Sequence, residues 1–259
     1  MVRTLLIRGM LVGIVAGLLT FGFGKVFGEP QVDRAIAVET QLDEAKAAQD
    51  AAKGIHHEEE PELVSRPVQA GIGLFTAVVV YCTAFGGLFA LVFAAANGRV
   101  GNCSPRAVAA LLAGAGFVAV YLVPVLKYPA NPPSVGQPDT IGHRTALYFA
   151  MMLVSVAGMV GAVMLRNALA RRHGAWSAAL TAGAGYLVVV FAAQLLLPAI
   201  NEVPEVFPAV VLWNFRIASL GMQAVMWTTL GLLFGWLTER AAARDHGRLR
   251  NMGFAVTQS

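Results

Sequence analysis

The feature that most constrains this chain is a series of apolar blocks, each about 20 residues long, separated by loops whose charge alternates in sign. The blocks run roughly over residues 5–27, 69–96, 106–126, 145–165, 176–197 and 213–237. Each is long enough to cross the hydrocarbon core as a helix, which satisfies its own backbone hydrogen bonds where water is absent. The overall composition agrees: only 13% of the 259 residues are charged, about half the share, about 25%, of a soluble domain. A soluble enzyme, a secreted disulfide scaffold and a disordered chain are thereby excluded. Cys82 and Cys103 form no disulfide framework and read as two unpaired thiols. The expected fold is all-α: a polytopic transmembrane helix bundle of six spans, forming a single integral membrane domain over residues 1–259.

Orientation follows from the cations. One side takes Arg3, Arg8, Arg99, Arg106, Arg166, Arg171, Arg172, Arg240, Arg244, Arg248 and Arg250, with only Glu239 and Asp245 as anions. The other side takes 8 cations and 13 anions. By the positive-inside rule both termini are expected in the cytoplasm, in a multi-pass protein of the cell (inner) membrane. The first block has cations before it, as a signal peptide would, but no small-x-small cleavage site follows. Gly9, Gly13 and Gly17 share one helical face, which suits close packing in a retained span.

Residues 28–67 are the one long polar stretch, expected outside as a loop with a surface helix over 33–53. Pro30 suits its first turn and Gly54 its end. Residues 110–130 and 179–199 align without gaps at 10 of 21 positions, and both end in Pro-Ala followed by Asn. A parallel repeat of helix pairs, as in some transporters, and a coincidence of Ala/Gly/Leu bias both explain this match.

Chemistry-bearing residues gather in three places on the outer side. His56, His57, Glu58 and Glu59 suit loose capture of a borderline divalent cation such as cobalt, nickel or zinc, or form a solvated acidic run. Asn131, Asp139 and His143 lie in a loop with four prolines and two glycines, more constrained than a plain connector needs. There Asp139 or Thr140 also suits a cap for span four, with His143 at the interface. Asn201, Glu202 and Glu205 precede Asn214 and Arg216; the two glutamates could share a cation or pair with Arg216. An unpaired arginine costs on the order of 2.5–3.5 kcal/mol at mid-membrane, so Arg216 is expected to have a structural partner. Inside the spans, Gln194, Met222 and Met226 stand out. The two methionines are i, i+4 neighbours, suited to a soft-metal path, although packing is the ordinary reading of such a stripe. Phosphate-loop, zinc-protease and serine-hydrolase motifs are missing, and no nucleophile–base pair supports an enzyme.

Four pieces of sequence together resemble the CbtA family of predicted cobalt transporter subunits. They are Phe27-Gly-Glu-Pro-Gln-Val-Asp-Arg-Ala-Ile36, Leu88-Phe-Ala-Leu-Val-Phe93, Pro132-Pro-Ser-Val-Gly-Gln-Pro-Asp-Thr-Ile-Gly-His-Arg-Thr-Ala-Leu-Tyr148, and Glu202-Val-Pro-Glu-Val-Phe-Pro208 with Trp213-Asn-Phe-Arg216. The resemblance covers nearly the whole chain. It implies uptake of Co²⁺ as a transported ion rather than a resident cofactor, a link to cobalamin synthesis, and a small one-span, histidine-rich partner of CbtB type. It also implies five spans, where the charge pattern favours six. The expected function is the membrane subunit of a cobalt uptake transporter. The alternatives are a permease for another divalent metal such as nickel, and a non-transporting scaffold that anchors the small partner. No nucleic-acid partner is expected; the bilayer, the one-span subunit and the metal ion are.

Overall fold

Runs of Ala, Leu, Val and Gly with few prolines leave the backbone no hydrogen-bond partner in lipid but itself, and the chain answers with helices. The computed structural model describes residues 2–53, 64–99 and 103–244, which contain helices, turns and loops but no strand. Helix α1 (Val2–Phe23) runs through a π-helical turn, Gly24–Gly28, into α2 (Glu29–Ala51). The short α3 (Arg66–Val68) runs through a second π turn, Gln69–Gly73, into α4 (Leu74–Ala96). Next come α5 (Pro105–Gly116), a π segment Phe117–Leu122, α6 (Val123–Lys127) and the 3₁₀ turn Pro138–Thr140. Helix α7 (Ile141–Leu196) and α8 (Ala209–Thr229) follow, and α8 passes into a π segment, Leu230–Phe234. Among the described residues five continuous helical runs are long and apolar enough to cross a membrane.

One of those runs is bent back on itself. Ser155 and Tyr186 are 31 residues apart, about 46 Å along a straight helix. Their hydroxyls nevertheless share a buried 2.8 Å hydrogen bond. The reversal occurs at Gly174, whose φ of +78° lies in the left-handed region that side chains disfavour. The expected polar connector over residues 166–175 is therefore mostly helix, and the turn reduces to one glycine. Met151, Tyr186 and Val190 form the seam between the two arms.

The chain divides into two compact units. The first comprises Met1–Phe23, Arg66–Gly114 and Met222–Ser259. Its axis is the packing of α1 on α4, in which glycine meets glycine. A Cβ on Gly13 would stand 2.8 Å from Thr83 Cα, and one on Gly86 2.9 Å from Gly13 Cα. The glycine face seen in the sequence is thus the contact face. Phe234 is fully buried, with the rings of Phe89 and Phe93 edge-on to it at 5.4 and 5.1 Å. Arg8 Nη1 donates to Thr238 Oγ1 at 3.2 Å. Cys82 is buried, Cys103 is exposed, and both thiols are free.

The second unit comprises Gly24–Ser65 and Ala115–Gly221. The surface helix expected at 33–53 is present as α2, but it starts at Glu29 and continues α1 without a break. The intervening π turn and a proline confined to its first turn make that continuity tolerable. Ala35 of α2 is buried, packing with Val135 and Phe207 from the two Pro-rich loops.

Candidate functional site

Those two loops, with the ends of α6, α7 and α8, enclose a cavity of about 680 Å³ within the second unit. Its polar lining is Lys127, Tyr128, Asn131, Arg144, Thr145, Tyr148, Asn201, Glu202 and Arg216. The surrounding backbone is held in place by side chains. Tyr128 Oη donates to the Pro198 carbonyl at 2.8 Å, tying the end of α6 to the end of α7. Lys127 Nζ donates to the Gln194 carbonyl at 2.6 Å, and Gln194 Nε2 donates to the Val123 carbonyl at 3.2 Å.

Glu202 is the organising carboxylate. Its Oε2 accepts from the Gln137 backbone N–H at 2.8 Å and from Thr140 Oγ1 at 2.9 Å, and Arg144 Nε lies 3.4 Å away. The Gln137 amide first, then the Thr140 hydroxyl and the Arg144 charge, hold this carboxyl below the usual range, against the opposing effect of partial burial. Arg144 Nη2 also donates to the Gln137 carbonyl at 3.2 Å. Its guanidinium lies across Gly136, which has φ +116° and where any Cβ would collide with it. Ser134, two residues earlier, adopts φ +69°, rare for a residue with a side chain. The loop thus accepts strained backbone to present Gln137 and Thr140 to Glu202.

Arg216, near the start of α8, donates from Nε to the Ala130 carbonyl at 3.3 Å and from Nη2 to Asn131 Oδ1 at 3.0 Å. Its expected partner is therefore present but is a neutral amide and a carbonyl; Glu202 pairs with Arg144 instead. The remaining sequence candidates take no part in the hydrogen bonds of Glu202 and Arg216. Asp139, His143 and Glu205 are exposed. Asn201 is exposed and its Oδ1 accepts from the Val203 N–H at 3.4 Å. Asn214 is half-buried in α8, as is Met222, whereas Met226 is fully buried; both methionines belong to the first unit. His56, His57, Glu58 and Glu59 lie outside the described residues. No group of three or more His, Cys, Asp or Glu side chains suited to a metal ion forms among the described residues.

Sequence reasoning passed over Lys127, Tyr128 and Tyr148, took Thr140 only as a candidate cap, and treated Arg144 only as part of its loop; Thr140 does stand at the N-cap, but its hydroxyl bonds Glu202 rather than the helix. The signal was available for the two cations. Lys127 and Arg144 flank the same Pro-rich stretch at the ends of two spans, where a plain connector carries no reason for both.

No curated protein and no solved structure matches this sequence. A family model described as "Probable cobalt transporter subunit (CbtA)" matches residues 2–239. With the match running from the first turn of α1 to beyond the last π segment, the chain belongs to the CbtA family.

Proposed function

We propose that this chain is the membrane subunit of a Co²⁺ uptake system serving cobalamin synthesis, working in the inner membrane with a small one-span, histidine-rich partner. The family match across residues 2–239 carries the reading. Five helical runs long and apolar enough to span a membrane support a multi-pass protein, as do side chains such as Leu153 and Leu196, 70% and 84% exposed. With the α7 hairpin taken as two crossings, six spans and cytoplasmic termini accommodate the arginine distribution. The two segments that align in the sequence, 110–130 and 179–199, are joined near their ends by the hydrogen bond from Tyr128 to the Pro198 carbonyl, which suits a repeat.

Inward movement of a divalent cation gains about 2.3 kcal/mol per elementary charge per 100 mV, inside negative, so accumulation needs no ATP. In this reading His56, His57, Glu58 and Glu59 concentrate the ion, and the exposed Asp139, His143 and Glu205 guide it along the outer rim. Met222 and Met226 offer thioether contacts deeper in the membrane.

In the scaffold alternative, selective binding falls to the partner. Uptake of radiolabelled cobalt into proteoliposomes separates the two. The chain with its partner should accumulate the ion under an inside-negative potential. No uptake by the chain either alone or with its partner rejects the permease, and nickel carried as fast as cobalt reassigns the cargo.

A further inference from the structure

The cavity of the second unit has the wrong sign for a bare metal ion. Among the described residues three cations line it, Lys127, Arg144 and Arg216, against one carboxylate, Glu202. Only Arg144 uses that carboxylate. Lys127 and Arg216 are tethered by the neutral oxygens of Gln194, Ala130 and Asn131, which fix their positions without cancelling their charge. Donor capacity is left over as well. An ammonium has three N–H groups and a guanidinium five. Lys127 spends one of these on a protein oxygen, Arg216 two and Arg144 one, the Arg144 Nε facing Glu202 at 3.4 Å without a hydrogen bond. Two guanidinium forks and an ammonium around one space match the oxygens of a carboxylate or phosphate. A volume of about 680 Å³ is within the usual range for a small-molecule site.

We propose that this cavity is an oxyanion-binding site, taking a carboxylate- or phosphate-bearing group whose negative charge offsets Lys127 and Arg216. The group reaches it either as a free small anion or as an anionic lipid headgroup. This inference does not depend on cobalt being the cargo. The same full-length protein, delipidated in neutral detergent, serves both arms of the test. In the first arm, melting temperature is followed while citrate or inorganic phosphate is titrated against chloride at matched ionic strength. In the second, the protein is placed in nanodiscs of phosphatidylcholine with or without phosphatidylglycerol.

Saturable stabilisation by citrate or phosphate beyond chloride identifies a free anion; stabilisation by phosphatidylglycerol alone identifies the headgroup. Arg216→Gln and Lys127→Gln should each weaken that binding about tenfold, the usual worth of one charge-assisted hydrogen bond. Should Arg216→Gln fail to fold, Lys127→Gln carries the test. Stabilisation by neither probe overturns the proposal, and so does binding that both variants retain in full. Cobalt uptake is scored separately, so anion binding without transport leaves this site standing and rejects only the permease.

Discussion

Replacing Gly13 by alanine tests whether α1 and α4 are held by backbone contact. The added Cβ would stand 2.8 Å from Thr83 Cα and nearer still to the Cys82 carbonyl oxygen. Carbon atoms pack at about 3.5–4.0 Å, so the helices must part by about 0.7 Å or tilt by an equivalent amount. Both obstacles are backbone, which cannot rotate away as a side-chain tip would. Overpacking of this kind typically costs about 1–3 kcal/mol. Glycine-to-alanine replacement within a helix returns about 0.5–1 kcal/mol of propensity. The net expectation is a loss of about 0.5–2 kcal/mol, since in lipid this contact has van der Waals packing rather than the hydrophobic effect to sustain it. Unfolding in mixed micelles, followed by circular dichroism as SDS fraction rises, measures it. Gly22 in the same helix supplies the internal control, because a Cβ there meets nothing within 4 Å. Gly22→Ala should be neutral or stabilising, and Gly9→Ala, which would bring Cβ within 2.6 Å of Ala90 Cβ, should behave like Gly13→Ala. Equal midpoints for Gly13→Ala and Gly22→Ala would refute the reasoning.

Four further outcomes are expected. Tyr186→Phe leaves the Ser155 hydroxyl buried without its partner and should cost about 1–3 kcal/mol, read as a lower unfolding midpoint; Ser155→Ala combined with it should recover part of the loss. The Glu202 carboxyl sits below the ordinary glutamate value of 4.5, so its stabilising contribution is complete above that value and disappears as pH falls through the lower folded one. Melting temperature should therefore drop on acidification in the wild type, and Glu202→Gln should flatten that part of the profile. Gly136→Ala combines an unfavourable φ with a collision against Arg144 and should destabilise by about 1–3 kcal/mol; an unchanged midpoint would mean that the loop is not held as described. Deleting residues 46–61 should raise the apparent Michaelis constant for cobalt uptake with little change in maximal rate, and a lost maximal rate would make that stretch more than an antenna.

The apolar blocks and the charge alternation were enough to read an all-helical membrane chain, because hydrocarbon permits few other backbones. Glycine spacing gave the contact face of α1, because a three-residue interval between small residues has one geometric use. The site was harder. Charged residues were judged by the ligands they offered to a cation, so Asp139 and His143 drew attention while Lys127 and Arg144 did not. Which guanidinium Glu202 would meet depends on a loop turned by Ser134 and Gly136, and no periodicity encodes that turn. The one-residue hinge at Gly174 was equally hidden: Arg166–His173 read as a polar connector, yet those residues carry helix well past the apolar block, leaving the reversal to a single dihedral pair.

The π-helical stretches among the described residues have a consequence for how this chain tolerates changes in length. A turn closed by i→i+5 bonds holds one residue more than an α turn. Gly24–Gly28, Phe117–Leu122 and Leu230–Phe234 each therefore store a spare residue inside an otherwise regular rod, whereas Gln69–Gly73 is kinked at Gly71, whose φ of −100° and ψ of −105° are not helical. Removing a single amino acid from Phe117–Leu122 should collapse the bulge into ordinary α-helix while the flanking stripes stay in phase. The same excision from the middle of α4 would swing every downstream side chain by about 100°. Single-residue deletions are thus tolerated in such bulges and ruinous within the regular membrane-spanning α-helix beside them.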